Sequence, residues 1–172
     1  MNWRKVELED LVVLLPCKPD QAVRTVQLSS SHGGMLSVSM EMSGCEAGGA
    51  LYAISHVHVA DLDHAASTQA AWRQATLANL QASSPKVSQL QMANAFPGQS
   101  RNATTNRGSS AESAPSREFI LETMNANRPD GTPVQAKLAW LRKGQDIYHV
   151  AVYGDKLDQE KTELLFSELH LQ

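Results

Sequence analysis

The sequence is poor in the features that mark several common classes of protein. Its 172 residues include only two cysteines and 5% aromatic residues, and its formal net charge is −3. This mild charge offers no basic footprint for a nucleic-acid backbone or an anionic membrane surface, and the scarcity of aromatics argues against a base-stacking platform. No apolar run reaches the roughly 18 residues that a membrane-spanning helix needs. We therefore expect neither nucleic acid as a partner nor a transmembrane segment.

The remaining composition is typical of a globular chain. Hydrophobic residues make up 42% of the sequence and charged residues 19%, a balance that supports a buried core. The length predicts a single domain over residues 1–172. Residues 97–116 are polar and dense in glycine, serine, asparagine and threonine, which predicts a long mobile loop within that domain.

Alternation of apolar and polar residues predicts that most of the chain forms strands. The clearest case is Leu36 to Met42, where every second residue is apolar. The strongest hairpin signal comes from two alternating segments on either side of Gly144. The predicted strand segments are 6–15, 23–28, 36–42, 51–59, 86–95, 117–124, 134–140 and 147–153.

Two segments favour helix instead. Residues 61–82 are rich in alanine and leucine without glycine or proline, and Gln69 is the weak point of their apolar stripe. Asp158 can cap a second helix, whose stripe includes Leu165 and Phe166. Strands, helix, strands and helix follow one another with mostly hairpin connections. This order predicts an α+β fold, an antiparallel sheet with helices packed on its faces.

Cys17 and Cys45 each follow a predicted strand, so the two chain ends could come within bridging distance. Three interpretations remain open: a disulfide, two buried free thiols, or a reactive nucleophile. The disulfide is favoured, and such bonds persist in oxidising compartments, so it points to an exported protein. In that case we expect a signal segment to have been removed from this chain.

His56 and His58 are the weak candidates for metal binding, together with His64. The first two are spaced i, i+2 on a predicted strand, so they share one face, and three histidines could bind zinc or copper. Alternatively, the two histidines bind no metal and simply lie at a polar strand edge or on a sheet face covered by a helix. We take the alternative as the default and expect no metal, no cofactor and no catalytic residue.

Short motifs along the chain resemble those of a known group of proteins. They lie in an opening strand, two further strands, a closing hairpin and a last helix. The motifs are Leu15-Pro16-x-x-Pro19, Val26-x-Leu28, residues 49–55, residues 144–154 and residues 165–169. This layout resembles the PsbP/DcrB-like group of small bacterial exported proteins and lipoproteins. That group shares its fold with the photosystem II extrinsic subunit PsbP and with a yeast Ran-binding nuclear import factor.

The resemblance implies a mainly antiparallel sheet of six to eight strands sandwiched by helices, and it brings no catalytic signature. It favours a non-enzymatic binding or adaptor module of the bacterial envelope or periplasm. We expect a protein partner and a monomer or weak oligomer. One alternative is a cytoplasmic chaperone or adaptor for secretion substrates. The other is a metal-dependent hydrolase built around His56, His58 and His64.

Overall fold

A computed structural model describes residues 2–29, 34–80, 86–88, 117–128 and 130–172. The predicted loop at 97–116 lies outside these residues. The strands are β1 (Arg4–Leu8), β2 (Leu11–Leu15), β3 (Asp20–Ser29), β4 (Met35–Ala47), β5 (Ala50–His58), β6 (Lys86–Ser88), β7 (Arg117–Asn127), β8 (Pro133–Lys143), β9 (Asp146–Gly154) and β10 (His170–Leu171). The helices are a 3-10 turn (Leu62–His64), α1 (Ala65–Asn79) and α2 (Gln159–Glu168).

The main sheet has the strand order β3-β4-β5-β9-β8-β7-β6, with every neighbouring pair antiparallel. Six of these strands are long, and β6 adds three residues at one edge. The β4–β5 hairpin turns at Gly48 and Gly49, whose φ angles are 57° and 79°. Glycine is suited to this turn because it takes positive φ without a side-chain clash. The predicted α+β class with a mainly antiparallel sheet is confirmed.

A second sheet of three strands, ordered β1-β2-β10, corrects the expectation of one opening strand over 6–15. The chain reverses at Glu9 and Asp10, and Leu8 then pairs with Leu11 across a two-residue turn. The turn has no glycine, proline or asparagine, and the apolar residues that resume at Leu11 hid the polar interruption at Glu9 and Asp10. Leu11, on β2, is fully buried, as expected for a strand covered on both faces.

The two faces of the main sheet are covered differently. Helix α1 packs on one face, where Trp72 joins Val57 and Trp140 in a buried cluster. The small sheet and α2 cover the other face, where Val13 of β2 and Leu165 of α2 belong to one buried cluster. Among the described residues, α1 therefore lies on one face, and the small sheet shares the other face with α2.

The disulfide predicted between Cys17 and Cys45 is present, with the two Cα atoms 6.0 Å apart. It joins the segment just before β3 to the far part of β4. Closing a loop of this length should stabilise the fold by roughly 3–4 kcal/mol in the chain-entropy model. The bond thus fastens the beginning of the edge strand β3 to the sheet.

Candidate functional site

His56 lies on β5 in the middle of a cross-strand row. Its register partners are Glu41 on β4 and Tyr148 on β9. The imidazole stacks on the Tyr148 ring with 4.8 Å between centroids, and only 7% of the side chain is exposed. Packing on a buried ring holds the imidazole in one orientation.

Asp146, at the start of β9, lies between the two histidines of β5. Its Oδ1 is 2.8 Å from His56 Nε2 and 2.9 Å from His58 Nδ1. Burial raises the pKa of Asp146, but the hydrogen bonds from His58 and His56 outweigh it, so the pKa is lowered overall. A carboxylate can only accept hydrogen bonds. Both histidines therefore donate to Asp146, His56 through Nε2–H.

Because His56 donates through Nε2, its Nδ1 carries a lone pair when the ring is neutral. That Nδ1 lies 3.7 Å from Glu41 Oε2. The carboxylate of Glu9 joins them, and the three ligand atoms lie within 4.8 Å of one another. Two carboxylates and a ring nitrogen therefore lie close enough together to serve as ligands for one metal ion.

The β1–β2 turn brings Glu9 to this site, and three contacts of the turn hold it there. Asp10 N–H donates to the hydroxyl of Tyr148 at 3.3 Å, and Lys143 Nζ lies 3.3 Å from Asp10 Oδ2. Gln172 N–H also donates to the carbonyl of Asp10 at 2.8 Å. Glu9 has a φ of 50°, a left-handed conformation that costs a residue with a side chain about 1–2 kcal/mol.

A groove of about 410 Å³ adjoins the cluster. Its lining includes Leu8 from β1, Val23 from β3 and Glu41 and Ser43 from β4. Ser43 is 2% exposed, and its hydroxyl has no hydrogen-bond partner among the described residues. Buried hydroxyls normally have a partner, so Ser43 places an unpartnered, buried polar group beside the groove.

The three predicted histidines do not assemble as one set. His56 and His58 share Asp146, whereas His64 lies at the start of α1 with its Nδ1 3.8 Å from Asp61 Oδ2. Glu9 and Glu41 were missed by sequence reasoning. One signal could have found Glu41, since counting outward from the Gly48–Gly49 turn pairs it with His56. No local sequence pattern could have identified Glu9, because it lies in the β1–β2 turn of the other sheet.

The edge strand β3 is the second feature of functional interest. Among the described residues it pairs with β4 alone, so one row of backbone groups is open along ten residues. Most of its side chains are exposed, and Val23 is 69% exposed. Long open edges of this kind are templates for another strand.

No protein-family model and no curated protein matches this chain. Among the described residues, no helix is long and apolar enough to cross a membrane.

Proposed function

We propose that this protein is a non-enzymatic binding or adaptor module of the bacterial envelope, acting outside the cytoplasm. Its site would be the open edge of β3, and its partner an extended segment of another protein added as a further strand. Strand addition draws affinity from backbone hydrogen bonds and specificity from pockets for alternate side chains. The observation that carries this proposal is the ten-residue edge of β3, open among the described residues.

The groove beside β3 supports the same proposal. Gln21, Ala22 and Val23 line it from the edge strand, and Leu8 of β1 adds apolar surface. An added strand would direct every second side chain toward this face of the sheet. A small apolar side chain next to Val23 fits such a groove.

The disulfide supports both the location and the mode of binding. Cys17 lies three residues before β3, so its bond to Cys45 holds the beginning of the edge in place before a partner arrives. An ordered edge lowers the entropy cost of binding. Disulfides persist mainly in oxidising compartments. The resemblance to the PsbP/DcrB-like group favours the same location.

Site-specific photo-crosslinking in the native host tests the proposed edge. A benzophenone side chain is placed at Gln21, Val23 or Thr25 on β3, and at Leu62, which is 54% exposed in the 3-10 turn, as a control. We expect a discrete protein adduct from the β3 positions and none from Leu62. Adding Val23→Lys to the Gln21 probe should abolish that adduct, because an edge lysine opposes strand pairing, whereas Leu62→Lys should leave it.

Two outcomes would contradict the proposal. Adducts that are absent from every β3 position would remove the edge as a binding site. An adduct that forms only with cytoplasmic proteins would favour the alternative, a chaperone or adaptor for secretion substrates.

A further inference from the structure

We propose that Glu9, Glu41 and His56 form a binding site for a transition-metal ion of the zinc class, with His56 Nδ1 and one oxygen of each carboxylate as ligands. The site extends beyond the proposed binding function, because it lies at the groove and does not require the open edge of β3. It also differs from the three-histidine set that the sequence suggested.

The distances are compatible with a metal ion after a small movement of the carboxylates. Bonds of about 2.0–2.2 Å in a tetrahedral arrangement put ligand atoms roughly 3.4 Å apart. The three atoms lie within 4.8 Å of one another, and Nδ1 is 3.7 Å from Glu41 Oε2. That separation exceeds a hydrogen bond, so a proton on Nδ1 serves the carboxylate poorly. A small rotation of the two glutamates, which are partly or fully exposed, closes the set around an ion.

The surroundings of His56 are those of a metal ligand. Metal-binding histidines generally donate their other ring N–H to a carboxylate or carbonyl, which fixes the tautomer and orients the ring. Asp146 accepts such a bond from Nε2 at 2.8 Å, and Tyr148 stacks on the ring. The imidazole is therefore aimed before any ion arrives.

The donor set also selects the ion. An imidazole nitrogen suits zinc or copper, whereas magnesium and calcium prefer oxygen ligands throughout. Three protein ligands leave a fourth position for water or another ligand. Ser43, whose buried hydroxyl has no partner among the described residues, lines the same groove as Glu41.

Calorimetric titration of the full, tag-free chain with its disulfide intact tests the site, using Zn²⁺ alone and then Mg²⁺ alone. Glu41→Gln removes one ligand without changing side-chain size, and Glu46→Gln makes the same change at an exposed position of the same strand. Glu9→Gly removes a second ligand while relieving its left-handed backbone. Thermal unfolding of the metal-free variants shows whether they are folded.

We expect one equivalent of Zn²⁺ and no saturable uptake of Mg²⁺. Loss of either glutamate should weaken Zn²⁺ binding at least as much as loss of an outer partner does, roughly tenfold to a hundredfold. Glu46→Gln should bind like the wild type, and Glu9→Gly should keep its metal-free Tm. Absence of stoichiometric uptake would overturn the proposal. So would uptake that persists unchanged in both Glu9→Gly and Glu41→Gln, since the ion would then lie at other histidines.

Discussion

His149 shows how strongly a single polar side chain can be enclosed in this fold. Its ring stacks on Trp140 with 3.8 Å between centroids, and Trp72 meets it at 5.6 Å in an edge contact. Nδ1 lies 3.1 Å from the carbonyl of Ala139, and Nε2 has no partner among the described residues. Burial lowers the pKa of His149 to about 4, so the ring is neutral at physiological pH.

We expect His149 to make the protein sensitive to acid. The unfolded chain binds a proton here near pH 6.5, whereas the folded protein does so near pH 4. The free energy of unfolding should therefore decrease as the pH falls from 6.5 to 4, by up to about 3 kcal/mol from this residue. Urea denaturation of wild type and His149→Phe at several pH values measures the difference.

His149→Phe should lose this part of the acid dependence, because no proton binds at that position in either state. His64→Phe changes an exposed histidine and should keep the contribution of His149. If the free energies of unfolding of wild type and His149→Phe differ by the same amount from pH 7 to pH 4, the pKa of His149 is not lowered in the folded protein.

The burial of a side chain could be predicted from sequence where it follows the alternation of a strand or the apolar stripe of a helix. Contacts with residues distant in the sequence could not. Trp72 and Trp140 lie on apolar stripes and are buried as that pattern indicates, at 5% and 0% exposure. His149 lies within the predicted strand 147–153, but its polar side chain gives no sign of burial. Glu9 meets His56 only because a turn of one sheet reaches a strand of another.

Helix α1 is attached to the main sheet by charged and polar groups as well as by Trp72. Glu122 of β7 is fully buried and accepts a hydrogen bond from Arg73 Nε at 2.6 Å and one from Trp140 Nε1 at 3.2 Å. Gln69 accepts a hydrogen bond from Arg142 Nε at 3.0 Å. The polar interruption in the apolar stripe of the helix is therefore a buried contact with the sheet.

Replacing one member of the Arg73–Glu122 pair should lower the free energy of unfolding more than replacing both. Arg73→Met leaves the Glu122 carboxylate buried without its cation, which should lower the free energy of unfolding by about 3 kcal/mol. Arg73→Met combined with Glu122→Gln should recover most of this loss, because no charge then remains buried at position 122 and the amide oxygen can still accept the hydrogen bond from Trp140. Urea denaturation of the single and double variants measures the coupling.

Gln74→Met, at the next and exposed position of α1, controls for the change in helix surface and should be close to neutral. If the decrease in the free energy of unfolding in the double variant equals the sum of the decreases in the two single variants, the two residues are not coupled and this account is wrong.

Elements with a long regular pattern were predictable, and those set by a turn or by a short pairing were not. The alternation around Met40 located β4, and the segments on either side of Gly144 located the β8–β9 hairpin. The turn at Glu9 and Asp10 was missed because it is only two residues long and has neither glycine nor proline, so Asp10 was its one signal. Strand β10 has two residues, too few for any period, and it exists only because β2 lies beside it.

At the scale of the whole molecule, the disulfide both holds part of the main sheet together and indicates the compartment in which the protein works. It joins the segment before the edge strand to β4 through Cys17 and Cys45, and the proposed function uses that edge outside the cytoplasm. Helix α1 covers one face of the main sheet, and α2 and the small sheet cover the other. Among the described residues, the outer edge of β3 pairs with no further strand. The oxidation state of the two cysteines in the native host is therefore the central question.

Intact mass after thiol alkylation tests this most directly. Protein from the native host is trapped in acid, unfolded, and alkylated with and without prior reduction. The account predicts no added mass without reductant and two alkyl groups after it, because Cys17 and Cys45 are joined. Two alkyl groups added without reductant would show free thiols in the host, contradict an exported module and favour the cytoplasmic adaptor.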